Sequence, residues 1–196
     1  AGYTPEYLEQ IGLLKMDFLG LKNLSILRDS IKKVKEIDNT FDIEKIPLND
    51  QKTLDIFKNG NTLGIFQFES SGMINFLKRL DVNSFDDIVV ANALFRPGPA
   101  TNIDLYINYK KGKLKPNYYD ERLKNILSPT YGVMIYQEQI MLIASKMAGY
   151  TLGEADILRR AMSKKKESVM EKNYAKFIEG GLKNGYSLET SKKVFE

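Results

Sequence analysis

The chain has 196 residues, of which 43% are hydrophobic and 28% charged, the balance of a soluble globular protein with its own core rather than of a disordered segment. It contains neither cysteine nor histidine. That excludes disulfides, thiol chemistry, zinc fingers and histidine-based catalytic triads, and leaves carboxylates, lysine, arginine, tyrosine or an oxygen-ligated ion such as magnesium for any chemistry. The net charge of +4 is mildly basic, and much of the cationic excess falls in two clusters, Lys110, Lys111, Lys113 and Lys115, then Arg159, Arg160, Lys164, Lys165 and Lys166.

The opening residues, AGYTPEYLEQIG, lack the basic stretch and apolar run of a secretory signal, and no apolar run approaches the length that spans a bilayer. With the absence of cysteine, this points to a cytoplasmic protein with no membrane partner. Residues 11–19 (IGLLKMDFL) alternate so that Leu14, Met16 and Phe18 share one face and Lys15 and Asp17 the other, which predicts a short β-strand ended by Gly20. Leu21, Leu24, Leu27, Ile31, Val34 and Ile37 then recur at three- and four-residue steps, the stripe of an amphipathic helix.

Past Pro47, helix start signals follow one another. Asn49 or Asp50 caps a short helix bearing Leu54 and Phe57, and Thr62 to Phe68 reads as extended. Ser70 or Ser71 caps a helix with Met73, Phe76, Leu77 and Leu80, and Ser84 with Asp87 has the spacing of a capping box. That last helix must stop near Phe95, because Arg96-Pro97-Gly98-Pro99 cannot continue it. Helices are predicted around 101–110 and 136–147, from the Thr151–Glu154 capping box through Met162, and over 167–183 to the Asn184-Gly185 stop. Ser187 starts one more, which meets no stop signal before Glu196 and so reads as part of a longer chain. The fold class is mainly α, with one N-terminal strand that needs a sheet from elsewhere.

Five places could carry chemistry. On a strand Lys15 and Asp17 point the same way, and a carboxylate beside an ammonium suits a metal–phosphate site. A surface ion pair has the same spacing. In Phe95-Arg96-Pro97-Gly98-Pro99 the stiff backbone presents one guanidinium at small entropic cost, as a bidentate phosphate contact requires, although a helix stop needs the same prolines. Arg160 and Lys164 lie four apart on one helix face beside Arg159, a row that attracts a polyanion, or a solvated face. In Tyr131–Gln139 and Gly64–Gly72, aromatic and amide side chains could stack on or bond to a base and a helix start could hold phosphate, while Met134 and Ile140 read as core.

In order and spacing, KMDFLGLKNL (15–24), GIFQFESSGM (64–73), ALFRPGP (93–99), YGVMIYQEQIM (131–141) and GYTLGEADILRRAMSKKK (149–166) resemble the family C replicative DNA polymerases, and within them the DnaE-type alpha subunits. The resemblance covers nearly the whole chain, with Ser163 where other members often have glycine. It implies that residues 1–20 are the C-terminal edge of a palm domain and 21–196 a helical fingers domain. It implies that Asp17 is one of three aspartates holding two magnesium ions, the other two lying upstream. It further implies that Lys15, Arg96, Arg159, Arg160 and Lys164 face the phosphates of an incoming dNTP. The partners implied are a DNA primer-template, dNTP, and, through regions outside this segment, the sliding clamp and other replisome subunits. One aspartate cannot position two ions, so the segment alone is expected to be inactive. Two rival readings are a stand-alone helical module that binds single-stranded nucleic acid, and a protein-interaction domain whose basic surface meets an acidic partner.

Overall fold

The computed structural model describes residues 4–8, 10–14, 16, 18–164 and 167–196. It divides into two units, residues 1–47 and 48–196. The first holds a single turn of helix, α1 (Pro5–Leu8), and a 16-residue helix, α2 (Lys22–Ile37). The predicted apolar stripe of α2 is present, yet none of the helix's residues is buried.

The strand predicted at 11–19 is not observed. Residues 10–12 form a turn, and 13, 14, 16 and 18–20 have no regular secondary structure. Leu14, Met16 and Phe18, expected on a core face, are exposed. The reason is the ladder: a strand leaves its N–H and C=O groups unpaired without a neighbour, and among the described residues there is no other strand to pair with. Lys15 and Asp17 lie outside the described residues.

The second unit is helical. Its first half comprises α3 (Gln51–Lys58), α4 (Ser71–Leu80), α5 (Phe85–Leu94) and α6 (Ile103–Lys110). Apolar side chains at three- and four-residue steps on these helices, among them Leu54, Phe57, Phe76, Leu77, Leu80, Val90 and Leu94, close one core. Burying each such side chain stabilises the fold by roughly 1.5–3 kcal/mol. The caps are those the sequence announces. Asp50 accepts from the N–H of Thr53 at 2.8 Å, Ser70 from that of Met73, and Ser84 and Asp87 bond reciprocally as a capping box.

Residues 62–68, expected to be extended, instead form consecutive turns. The N–H of Ile65 donates to Thr62 and that of Phe68 to Ile65, and the buried Thr62 hydroxyl donates to the carbonyl of Phe68 at 2.6 Å. Gly64 and Gln67 both adopt positive φ, which no extended strand allows.

The second half adds the short α7 (Lys124–Leu127), then α8 (Gln137–Ala148), α9 (Leu152–Lys164), α10 (Glu167–Lys183) and α11 (Leu188–Phe195). Helices α8, α9 and α10 pack mutually, with α11 against α10, around Leu127, Ile143, Met147, Leu158, Phe177 and Val194. Small residues set how close they come. A Cβ at Gly180 of α10 would stand 2.2 Å from the carbonyl oxygen of Ala148, so only glycine lets α10 cross the end of α8 there.

Candidate nucleotide-phosphate site

Helix α9 carries the second cationic cluster. Thr151 and Glu154 cap it as predicted: the Thr151 N–H donates to the Glu154 carboxylate at 3.0 Å and the Glu154 N–H to the Thr151 hydroxyl. Ala155, Leu158 and Ala161 form its buried stripe. With that face fixed against the core, the 100° step per residue turns Arg159 to the flank and Arg160 towards solvent. Their side chains are 26% and 67% exposed, which decides which of the two can meet a ligand without unpacking.

Both arginines converge on Asp156. Arg159 donates from Nε at 2.9 Å and from Nη2 at 2.8 Å to Asp156 Oδ1, and Arg160 Nη2 pairs with Oδ2 at 2.6 Å. A further arm of Arg159, Nη1, donates to Gln137 Oε1 at 2.9 Å, tying α9 to the first turn of α8. The guanidinium of Arg159, then that of Arg160, holds the Asp156 carboxyl below its ordinary range. The trio keeps a net positive charge, with Arg160 as its solvent-facing end. Asp156 is not among the residues expected at this site, and Gln137 is expected only as one of the amides that could contact a base. The acid three and four residues before two arginines in EADILRR is the sequence signal for the first; the second comes from another helix and only the fold reveals it.

Gln139 resolves differently from the base contact considered for its segment. Its side-chain oxygen accepts from the N–H groups of Ile135 and Tyr136, and its amide donates to the Ile126 carbonyl and the Thr130 hydroxyl. Four internal bonds to a buried amide make it a brace for the start of α8. Met134, read as core, packs against the apolar core of the second half.

Arg96 leaves the end of α5 exposed, with its N–H on the Leu94 carbonyl and its own carbonyl accepting from Ala100. The fold brings its motif to the Gly64–Gly72 segment. Phe95 stacks near Phe76 (ring centroids 6.3 Å apart) and covers Gly72 so closely that a Cβ there would meet the ring at 2.8 Å. Arg96 thus follows α5 in the first half of the unit, whereas Arg159 and Arg160 lie on α9 in the second. Lys164 falls on the last residue of α9, and its side chain lies outside the described residues, as do Lys165 and Lys166.

The family model for the bacterial DNA polymerase III alpha subunit finger domain matches residues 23–185. The chain belongs to that finger-domain family. It is 48% identical over 195 residues to the DNA polymerase III subunit alpha of Bacillus subtilis (strain 168), a match over 99% of this chain and 18% of that protein. The alpha subunit of Halalkalibacterium halodurans is 49% identical over 98% of the chain, and that of Staphylococcus epidermidis (strain RP62A) 50% over 99%. The chain therefore corresponds to under a fifth of the length of these relatives. Every segment on which the resemblance rested falls within or at the edge of the finger-domain match, apart from residues 15–22.

Among the described residues, no three His, Cys, Asp or Glu side chains gather as a metal site, and no helix is long and apolar enough to cross a membrane. Asp17, the one residue of the chain that the resemblance assigns to magnesium, lies outside the described residues.

Proposed function

We propose that this chain is the fingers of a DNA-directed DNA polymerase of the replicative kind, and that the end of α9 meets the triphosphate of the incoming dNTP. The observation that carries the reading is the pair of guanidinium groups on α9, one braced internally and one turned to solvent, in a chain of the finger-domain family. Phosphoryl transfer leaves little covalent work to a protein. The demand is for positioned positive charge around the phosphates, and planar, permanently charged guanidinium meets it.

In this reading Arg160 contacts phosphate oxygens directly, Arg159 holds its neighbour in place and adds charge, and Lys164 extends the row. Arg96 and Lys15 are further phosphate-facing cations. Asp17 supplies one ligand of a Mg²⁺ site whose other carboxylates lie outside this segment; bound magnesium would stabilise charge on the attacking and leaving oxygens. The primer-template is chromosomal DNA in the cytoplasm, and contacts with the sliding clamp and other replisome subunits belong to other parts of the longer polymerase.

Two measurements test this. The 196-residue chain by itself should extend no primer on a matched template with Mg²⁺ and dNTPs; template-directed extension would refute the division of labour. In the longer polymerase, Asp17→Asn should abolish extension while primer-template affinity, read by fluorescence anisotropy, stays within about twofold. Extension at a normal rate would remove Asp17 from the metal site.

A further inference from the structure

We infer that Asp156 is a positioning residue: by clamping Arg159 it fixes the direction in which Arg160 is offered to the phosphates. The inference rests on the reading that Arg160 meets a triphosphate, and it goes beyond it, because an acidic residue beside an anion site is the last residue that charge alone would place there.

The geometry separates this from an ordinary helix ion pair. Spacings of three and four residues alone would give Asp156 one arginine or the other in a solvated, exchanging contact. Here one carboxylate serves both. Oδ1 takes two bonds from Arg159, and Oδ2 holds Arg160. The clamp is also anchored outside α9, since Gln137 at the start of α8 takes Nη1 of Arg159. Gln137 in turn stands two residues before Gln139, whose four internal bonds fix the start of α8. Arg159 is thus tied to two helices, and it holds the carboxylate on which Arg160 rests.

The consequence is energetic. An arginine on an exposed helix face samples many rotamers, and ordering it on phosphate sacrifices that freedom at the moment of binding. If Asp156 has already restricted Arg160 in the folded protein, that loss falls on folding and not on nucleotide binding. Arg160 engages the carboxylate through one Nη, and a guanidinium has five N–H donors, so the fork can bond phosphate while the carboxylate keeps its hold. The opposing effect is Coulombic: a negative charge next to the site weakens attraction for a triphosphate. The two effects predict opposite outcomes when the charge is removed, and that makes the role decidable.

The test is a nucleotide titration in the full-length polymerase with Asp156→Asn, Asp156→Glu and Arg160→Ala. Asparagine keeps the size of the side chain, and primer-template affinity and the thermal melt report folding. With positioning dominant, Asp156→Asn raises the KM for dNTP on the order of tenfold, with a smaller change in kcat. Asp156→Glu, which restores a carboxylate, brings KM back to within about threefold of the parent. An unchanged or lowered KM in Asp156→Asn would overturn the inference, since the carboxylate would then be only a competitor for the arginines. If Arg160→Ala raises KM and Asp156→Asn does not, the positioning role alone fails. If Arg160→Ala leaves KM unaltered, the triphosphate reading fails and takes this role with it.

Discussion

Gly132 shows how much a single position can decide. Its φ of +90° lies where L side chains are strained, and a Cβ would stand 2.3 Å from the carbonyl oxygen of Asn117. The turn after Tyr131 cannot retreat without disturbing the buried Val133 and the ring contact of Tyr131 with Tyr106. Gly132→Ala is therefore expected to destabilise the chain by about 2–4 kcal/mol, measured as the shift in urea midpoint; a shift near zero would mean the two backbones are not in contact. The pair Lys110–Asp87 makes a second residue-scale case. Their side chains are 8% and 5% exposed and 2.8 Å apart, and Lys110 also donates to the carbonyls of Leu80 and Asp81 at the end of α4. Lys110→Ala leaves a buried carboxylate without its counter-charge and should cost about 3–5 kcal/mol, whereas Lys111→Ala, on the exposed neighbour, should be nearly neutral. Equal melting temperatures for the two variants would contradict this.

At the scale of elements, the helices were legible because their ends are written in short-range chemistry. Asp50, Ser70, Ser84 with Asp87, Thr151 with Glu154, and Ser187 all cap the helices that their spacing announces. Ser84→Ala, which removes one half of the α5 capping box, is expected to cost about 1 kcal/mol by thermal melt. Two segments depart from the expected extended conformation for one shared reason. Alternation in IGLLKMDFL and the apolar run GIFQF resemble strands, but a strand is made by its neighbour, and the described residues contain none. The second run closes on itself through Thr62 and Phe68 instead. In the candidate site, the cations could be picked out by type and spacing. Their division into an inward brace and an outward fork could not, because it depends on Gln137 from another helix. The cluster at 110–115 dissolves on the same grounds: it places Lys110 in a buried pair and leaves Lys111, Lys113 and Lys115 exposed.

At the scale of the whole second unit, acid should loosen the packing of α9 and α10 before it melts the core. Glu154 bonds Lys176 across those two helices, and that bond with the Thr151 N–H lowers its carboxyl to about 2 from an ordinary 4.5. Asp120 is held near 2, from 3.8, by Arg122, which stacks on Tyr186 at 3.5 Å and donates to the Asn184 and Gly185 carbonyls past the end of α10. A carboxyl whose pKa falls on folding stabilises the folded state above its unfolded value, and the contribution drains away as pH drops through the folded value. Stability should then be level down to about pH 5 and decline between about pH 5 and 2. Urea midpoints by circular dichroism across that range check it, and a flat profile would contradict the two bridges. In the first unit, α2 carries an apolar stripe with no buried residue.

The proposed contact of Arg160 with the nucleotide's phosphates is open to direct measurement. In single-turnover extension by the full-length polymerase, the apparent Kd for the matched dNTP should rise on the order of tenfold in Arg160→Ala, with primer-template affinity within about twofold of the parent. A parental nucleotide Kd in that variant, with extension intact, would place the triphosphate elsewhere on the molecule.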